Sequence, residues 1–380
     1  MDKIKILIIA GTMNMGGIEN QMMHLLRKAD PNRFQIDFTS TLPDPYYSKE
    51  MKTLGSRCIL IPEMKPWNPL PYCRALYRTM KHGHYDIVHS HELFHSGIVI
   101  FCAYLAGIKG RFCHAHNCQD GNGNGDKRSP VRSLYNCLMG KLIRSCSTHL
   151  LACSTASAEF LFGKNCLSQD RCKLVFNSVD TRKFLDACRT AQSDSSDGWR
   201  SILHVGRVTA IKNQLFLTEI AAVFKQRGRK LRILCAGGGD EPYIRRLQDA
   251  IAAAETEDYI RLLGPREDIA LLMAQASAFV LPSKYEGMPL AVIEAQTAGL
   301  PCVCADTFSQ EVDFGLGGIR WLSLSDNPYV WADALEEAVA SGRNREEAVL
   351  RAIQEKGFDA SAFADRLCAL YTAAAEGEMP

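Results

Sequence analysis

Several common signatures are missing from this chain of 380 residues. No apolar run reaches the roughly 18 residues that a membrane-spanning helix needs, and the first run, residues 6–10, is too short for a signal peptide. The fifteen cysteines are odd in number and include no Cys-x-x-Cys pair. Most lie in apolar segments, where a free thiol behaves as a small hydrophobe. We therefore expect a reduced, cytosolic protein without disulfides or structural zinc.

Two recognition patterns are also absent. The chain has no Gly-x-Gly-x-x-Gly turn, which disfavours a nicotinamide dehydrogenase. It has no basic run with interleaved aromatic residues, so nucleic acid is not an expected partner. The hydrophobic share of 47% and the charged share of 23% are ordinary for a soluble globular protein.

The net charge of +2 hides an asymmetry between the two halves. Residues 1–185 hold 24 basic and 14 acidic residues, a net charge of +10. The remaining residues hold 20 basic and 28 acidic residues, a net charge of −8. A basic half would suit phosphate-bearing acceptors or an anionic membrane surface. An ordinary solvated surface explains the same balance about as well.

Strand and helix patterns alternate along the whole chain, and a chain of this length exceeds the size of a single core. Alternation predicts parallel sheets covered by helices on both faces. The predicted strands are residues 4–10, 34–39, 57–61, 86–90, 110–114 and 149–153, then 201–205, 231–236, 259–263, 278–281, 301–304 and 319–322. The predicted helices are 17–28, 69–81, 93–105, 130–144 and 155–162, then 213–227, 241–254, 267–274, 289–298, 328–341 and 360–376.

Two segments are too polar and too rich in turn residues for regular structure. Residues 193–198 are the best candidate for a linker between two domains, although a hinge beginning at 177–180 is the alternative. Residues 117–129 hold three glycines and three asparagines. Such a loop is either functional, gripping an acceptor, or a tolerated surface insertion.

Two carboxylates eight residues apart, Glu286 and Glu294, follow a predicted buried strand. Gly287 and Pro289 mark a turn after Glu286, and a helix pattern then begins. Glu286 is thus expected in the loop at the carboxyl end of the strand, with Glu294 in the helix. Ligands of parallel α/β sheets bind at that edge, and a helix start there faces anions. These features describe a nucleotide-sugar site.

With its neighbours, this element resembles the paired-glutamate signature of retaining glycosyltransferases of the GT-B fold, in particular family 4 (group 1). The resemblance extends over nearly the whole chain and includes bacterial capsule and exopolysaccharide enzymes. It implies an α/β protein with two Rossmann-like parallel-sheet domains facing a central cleft. An ordinary α/β unit that happens to carry two glutamates is the alternative.

The resemblance implies the domain organisation and the roles of the domains. Residues 1–185 would bind the acceptor, and residues 195–358 would bind the nucleotide sugar. A final helix in residues 359–380 would pack back on the first domain. Asp-x-Asp, which often holds the metal of metal-dependent glycosyltransferases, does not occur. No cofactor and no catalytic metal are therefore expected, and side chains must supply the cations.

The donor site is expected to be built from two loops of the second domain. Gly206, Arg207 and Lys212 match the family's Gly-Arg and Lys-Asn pairing, whose cations bind the donor diphosphate. Glu286 would contact the donor sugar or phosphate, and Glu294 the ribose hydroxyls. Gly16 and Gly17, in the first domain, would border the phosphates. The remaining expected donor contacts are Gly287, Met288, Pro289 and Leu290.

A glycine run, residues 237–239, follows another predicted strand and resembles the family's glycine-rich turn. Its order departs from the usual pattern, so we expect Asp240 to cap the next helix rather than to contact the donor. Ser178 likewise replaces a glycine in the Asn-Gly-Val-Asp segment of the family. That departure concerns the backbone conformation at residue 178.

Two His-x-His groups end neighbouring strands of the first domain. His116 aligns with the family histidine that contacts the transferring sugar, and His114 is the alternative because one sequence does not fix the register. His91, Glu92 and Asn117 would line the acceptor side. The same His-x-His pattern can bind zinc, but an accompanying set of carboxylates or cysteines at the usual spacing is missing, so no metal site is predicted.

These expectations combine into one function with two alternatives. The resemblance implies a retaining, metal-independent transferase that moves a sugar from a UDP-sugar to a lipid-linked saccharide, as in capsule or exopolysaccharide synthesis. A GT-B epimerase or hydrolase would instead convert the donor without an acceptor. A non-catalytic binding subunit would keep the nucleotide site without turnover. The expected location is cytosolic, with peripheral contact at the inner membrane face.

Overall fold

The computed structural model describes residues 3–14, 16–65, 67–118, 130–191 and 198–377. The chain divides into two compact units. Unit 1 comprises Met1–Ser178 together with Ala360–Pro380, and unit 2 comprises Val179–Asp359.

Unit 1 contains a parallel sheet whose described strands run in the order β3-β2-β1-β4-β5-β6-β7. The strands are β1 Ile4–Ile9, β2 Phe34–Ser40, β3 Cys58–Leu60, β4 Ile87–Ser90, β5 Gly110–Ala115, β6 His149–Ala152 and β7 Lys173–Leu174. The helices are α1 Gly17–Lys28, α2 Ser48–Thr53, α3 Leu70–Gly83, α4 Ser96–Ala106, α5 Pro130–Cys146 and α6 Thr155–Phe162. Ile6 and Ile8 of β1 pack with α1, whereas Leu7 and Ile9 pack with α3 and α4. Both faces of the sheet are therefore buried.

Unit 2 contains a second parallel sheet, in the order β10-β9-β8-β11-β12-β13. Its described strands are β8 Arg200–Val205, β9 Leu231–Ala236, β10 Ile260–Gly264, β11 Ala278–Leu281, β12 Cys302–Ala305 and β13 Ile319–Leu322. Its helices are α7 Thr181–Thr190, α8 Gln214–Gln226, α9 Glu241–Ala253, α10 Ile269–Gln275, α11 Leu290–Thr297, α12 Pro328–Ser341 and α13 Glu346–Lys356. The two parallel sheets confirm the predicted α/β class.

The last helix, α14 Ala360–Glu376, belongs to unit 1 although it follows unit 2 in the chain. Phe363, Leu367 and Tyr371 are buried in the same apolar cluster as Ile6 and Ile8 of β1. Unit 1 is thus built from two separate stretches of chain, and α14 covers one face of its sheet together with α1.

The chain first crosses between the units at 178/179, within the alternative hinge 177–180 rather than at 185–195, and it crosses back at 359/360, one residue after the expected boundary. Helix α7 packs on α10 and α11, so residues 179–185 belong to unit 2. Val179 N–H donates to the Phe358 carbonyl (2.8 Å), and Thr181 Oγ1 donates to Asp359 Oδ2 (2.7 Å). The two chain crossings, 178/179 and 359/360, are therefore neighbours. The expected linker 193–198 lies, apart from Gly198, outside the described residues.

Both sheets have the doubly wound strand order. The first strands of each sheet are added on one side of a central strand and the later strands on its other side, so the strand order reverses between two central strands. In unit 1 these strands are β1 and β4, and in unit 2 they are β8 and β11. The loops that follow such strands separate at the carboxyl edge and leave a crevice, which is where ligands of these sheets bind.

Candidate active site

The loops after β8 and β11 bring two of the expected donor residues together. Lys212 Nζ lies 2.5 Å from Glu286 Oε1, and the two side chains are only 19% and 14% exposed. The Lys284 N–H also donates to the Ile211 carbonyl (2.8 Å), which holds the two loops side by side. A cation and a carboxylate therefore sit at the switch point of the unit 2 sheet.

Gly206 and Arg207 begin the loop that carries this lysine. A Cβ atom at Gly206 would lie 3.1 Å from Cε of Lys212, so a glycine lets the lysine stem pass close to the backbone. Arg207 is exposed, next to the buried Val208. Arg207 is thus accessible to a ligand, while Lys212 is held in an ion pair with Glu286.

A buried hydrogen-bond network beneath this loop was not predicted from the sequence. His204 Nδ1 donates to the Val280 carbonyl (3.0 Å), and Gln214 Nε2 contacts His204 Nε2 (3.1 Å) and the Arg207 carbonyl (2.9 Å). Gln214 Oε1 accepts from the Thr209 N–H (3.3 Å). Burial lowers the pKa of His204 to about 4, so the ring is neutral and its Nε2 accepts. This hydrogen-bond network fixes the backbone around Arg207.

The glycine run after β9 packs against the same loop. A Cβ atom at Gly237 would lie 2.1 Å from the Gly206 carbonyl oxygen, and one at Gly239 would lie 2.2 Å from that of Val208. Only glycine permits this approach of two backbones. Asp240 stands at the N-cap of α9 as expected, but its side chain makes no capping hydrogen bond. The glycine run therefore allows the loop after β9 to pack closely against the loop after β8.

Glu294 lies on α11, half-buried. Burial raises the pKa of its carboxyl to about 7, and the charge of Lys183 on α7 opposes this rise. The turn before it is enclosed: Gly287, Met288 and Pro289 are buried, and Pro289 is the N-cap of α11. Leu290 begins the helix one residue later than the predicted start at 289.

In unit 1, the loop after β1 leads into α1 at Gly16 and Gly17. A Cβ atom at Gly16 would lie 2.3 Å from Glu19 Oε2, so this glycine makes room for the carboxylate one turn later. Gly16 has an extended φ of −159°, which any residue adopts. The need for glycine here is steric, and Met15 lies outside the described residues.

The histidines after β4 and β5 converge on one face of the sheet. His91 Nδ1 lies 2.8 Å from His116 Nε2, and both side chains are buried. Burial lowers the pKa of His116 to about 4, although Asn177 acts to raise it. His91 is likewise buried and its pKa is lowered by burial and by His89 and His116. The pair is therefore neutral at physiological pH.

The expected acceptor residues have different surroundings. Glu92 accepts a hydrogen bond from the Tyr72 hydroxyl (2.6 Å), and Tyr72 packs on the face of the sheet opposite Ile8. Burial raises the pKa of Glu92, while the Tyr72 hydrogen bond acts to lower it. Asn117 is exposed, and the loop continuing from it, residues 119–129, lies outside the described residues.

Two family models match the chain, one to each half. The model described as Glycosyltransferase Family 4 matches residues 15–183, and the one described as Glycosyl transferases group 1 matches residues 200–341. EpsF of Bacillus subtilis strain 168, which is named as a glycosyltransferase, is 33% identical over 381 residues, covering 98% of this chain and 97% of EpsF. This chain belongs to glycosyltransferase family 4. It is a transferase enzyme.

Other similar proteins are more distant. An Escherichia coli UDP-Gal:α-D-GlcNAc-diphosphoundecaprenol α-1,3-galactosyltransferase is 26% identical, covering 80% of each chain. The crystal structure of Anabaena Alr3699/HepE in complex with UDP and glucose superposes with a TM-score of 0.76 at 17% identity, covering 97% of this chain and all (100%) of that one. The predicted GT-B fold of this family 4 member is confirmed. Among the described residues, no helix has the length and apolarity required to span a bilayer.

Proposed function

We propose that this protein is a retaining, metal-independent glycosyltransferase that moves a sugar from a UDP-sugar to a lipid-linked saccharide in exopolysaccharide or capsule synthesis. The observation that carries the proposal is the Lys212–Glu286 pair beside Arg207 at the switch point of unit 2. The names of the relatives support the biological setting, since EpsF and the capsular enzyme CapH of Staphylococcus aureus are both similar to this chain.

The two cations stabilise the departing nucleoside diphosphate. Arg207 grips phosphate oxygens with its planar fork, and Lys212 supplies a point charge. Its partner Glu286, held by Lys212 at 2.5 Å, contacts the donor sugar hydroxyls or the phosphate region. Charges of this kind, fixed in place before the reaction, commonly supply several kcal/mol of transition-state stabilisation. With these side chains and no Asp-x-Asp sequence, we propose that transfer proceeds without a metal on the donor.

The nucleotide is proposed to be a uridine diphosphate. The E. coli relative carries UDP-Gal in its name, and the similar Anabaena structure holds UDP and glucose. Glu294 on α11 then accepts from the ribose hydroxyls. Gly16 and Gly17 in unit 1, and Gly206 with the turn Gly287–Leu290 in unit 2, border the phosphates.

Retention is proposed to occur by attack on the same face of the sugar from which the diphosphate leaves. His116 contacts the transferring sugar, and its neutral ring can exchange hydrogen bonds with hydroxyl groups. His91, Glu92 and Asn117 contribute to the acceptor side. The E. coli relative supports a lipid-linked acceptor, because its name includes a diphosphoundecaprenol.

An exposed apolar surface on unit 1 supports docking at an anionic membrane. Val131, Leu134 and Leu138 of α5 are 77%, 72% and 52% exposed and lie three and four residues apart, on one face of the helix. Helix α4, which packs on α5, adds Phe101, Tyr104 and Leu105. Basic residues on α5 include Arg132 and Lys141. We call this the α4–α5 surface; such surfaces bind lipid by apolar burial and by attraction to anionic headgroups.

The proposal is tested by calorimetric titration of metal-free protein with UDP, GDP, ADP and NAD, followed by a transfer assay with a lipid-linked acceptor. We expect selective UDP binding and acceptor-dependent consumption of the donor. Release of free sugar or an epimerised donor without acceptor would identify the hydrolase or epimerase class. Nucleotide binding without any turnover would identify a binding subunit, and NAD preference would overturn the proposal.

A further inference from the structure

Three buried histidines of unit 1 bring ring nitrogens close together. His89 lies in β4 and pairs with Phe112 of the parallel strand β5. His91 follows His89 by two residues, and His114 follows Phe112 by two residues. One nitrogen from each ring lies within 4.8 Å of the corresponding nitrogens of the other two. His89 and His114 are 0% exposed and His91 is 5% exposed. Alternation along parallel strands has placed all three on the face covered by α14.

The hydrogen bonds of these rings leave other ring nitrogens unused. His89 Nδ1 is bonded to the Tyr371 hydroxyl (2.6 Å), and His91 Nδ1 is bonded to His116 Nε2 (2.8 Å). The Nε2 atoms of His89 and His91 have no hydrogen-bond partner within the described structure. Neither ring nitrogen of His114 makes a hydrogen bond of normal geometry there, although the Val175 backbone lies near enough to interact with the ring. Metal-binding histidines show this pattern, in which one nitrogen binds an outer partner and the other is available to the ion.

The three rings are packed closely together. The centroid of the His89 ring lies 4.1 Å from that of His91 and 5.4 Å from that of His114. Zinc binds the lone pair of a neutral imidazole nitrogen. Three imidazoles with one open position form a known zinc arrangement, with Zn–N distances of roughly 2.0–2.1 Å. The His89 and His114 rings are stacked with an interplanar angle of 3°, so at least one of them must rotate to bring the nitrogens to the roughly 3.3 Å spacing of such a site.

We propose that His89, His91 and His114 bind one divalent cation of the zinc class within unit 1, with a water or anion in the fourth position. The site is independent of the donor diphosphate and goes beyond the proposed function. An ion on His91 Nε2 leaves the proton of that ring on Nδ1, which must then donate to His116 Nε2. The proton of His116 is thereby held on its own Nδ1, so the ion sets the tautomer of the residue proposed to face the sugar.

The test uses the full-length protein after dialysis against a chelator, with Zn²⁺ and Co²⁺ as probes. We expect one equivalent of Co²⁺ to bind with the visible spectrum of a tetrahedral nitrogen site, to be displaced by Zn²⁺, and to raise the melting temperature. His114→Gln should lose about tenfold or more of the Co²⁺ affinity. The matched control is His82→Gln, an exposed histidine on α3, which should bind like the wild type.

Three results would overturn the proposal. They are no stoichiometric binding by the wild-type protein, a thiolate-to-cobalt band that assigns the ion to cysteines, and unchanged affinity in His114→Gln. If His114→Gln fails to fold, His89→Gln is measured in its place, and the wild-type titration remains decisive by itself. Nitrogen-15 labelling of the histidines reports the tautomer of His116 with and without Zn²⁺. A tautomer that does not respond to bound Zn²⁺ would contradict the coupling.

Discussion

The ion pair of Lys212 with Glu286 differs from a second lysine–glutamate pair described in unit 2. Lys225 and Glu255 are 39% and 83% exposed, so water and salt screen their interaction and it contributes little. Lys212 and Glu286 are far more enclosed. Removing one member of an enclosed pair leaves the other charge without its partner, which costs more than the pair itself contributes.

Lys212→Met should therefore reduce kcat/KM by about 10²-fold or more, because the leaving diphosphate loses a positioned cation. The affinity for UDP should fall in the same variant. Steady-state transfer assays and calorimetry measure the two effects. Lys225→Met is the matched control and should keep wild-type kinetics; equal kinetics in both variants would remove Lys212 from the donor site.

Glu294 makes the stability of unit 2 depend on pH. Its folded-state pKa of about 7 lies above the ordinary value of 4.5, so folding favours the protonated form. Stability is thus highest below pH 4.5 as far as this group is concerned, and it declines as the pH rises to about 7. Glu294→Gln should be more stable than the wild type at pH 8 by roughly 1–3 kcal/mol, with no gain at pH 4.5. Urea unfolding at both pH values measures this difference.

Ionisation of the Glu294 carboxyl should strengthen nucleotide binding, although it lowers the stability of unit 2. Ribose hydroxyls donate to an ionised carboxylate, so UDP affinity of the wild type should increase between pH 6 and pH 8, on either side of a pKa of about 7. Glu294→Gln should bind UDP more weakly at pH 8 and keep only the pH dependence that ionisation of the UDP phosphate gives to both proteins. Calorimetric affinities that follow the same pH curve in both proteins would assign the titration elsewhere.

At the scale of elements, the donor loop is shaped by the glycine run packed against it. Gly237→Ala would place a Cβ atom 2.1 Å from the Gly206 carbonyl, so the loop carrying Arg207 must move. We expect UDP affinity to fall about tenfold or more, since small misplacements of positioning groups are costly. Gly228→Ala is the control, because its φ is also positive (+62°) but its Cβ would meet nothing within 4 Å. Both variants should lose stability, whereas only Gly237→Ala should lose UDP binding.

The α4–α5 surface predicts a second element-scale effect. Leu134→Glu places a charge in the middle of the apolar face and should weaken binding to anionic lipid vesicles, because apolar burial is lost and headgroups repel it. Vesicle co-sedimentation measures the change. Leu271→Glu, on α10 of unit 2 and 40% exposed in the wild type, is the control. Equal sedimentation of the two variants would remove this surface from the docking proposal.

The sequence predicted the long elements well because buried parallel strands read as short apolar runs between turn residues. The short elements β7 and α2 were missed, because segments this short show no periodic pattern of apolar residues. Helix α7 was missed because it follows a segment interpreted as the end of the first domain, and the 11-residue helix α13 was missed as well. Lys212 and Glu286 were predicted as donor residues because each lies in the loop after a predicted strand and matches a motif of the family. The convergence of His89, His91 and His114 depends on strand register, and Tyr371 is 282 residues from its partner His89.

At the scale of the whole molecule, unit 1 depends on both ends of the chain. Ending the chain after Asp359 would remove α14 and uncover Ile6 and Ile8, which are fully buried beneath it. We expect unit 1 to become susceptible to proteolysis, while unit 2 keeps its resistance because its residues are consecutive. Limited proteolysis with mass spectrometry measures this. Protection of unit 1 equal to that of the full chain would show that α14 is dispensable for its fold.

The position of α14 also sets an order of events during synthesis. The strands of unit 1 are made before unit 2, but the helix that closes one face of their sheet is made after it. Unit 2 is complete by Asp359, before that helix has been made. The nascent chain therefore carries a completed unit 2 while unit 1 still lacks a helix, and the apolar face of unit 1 must be kept from misassociating until α14 has been made.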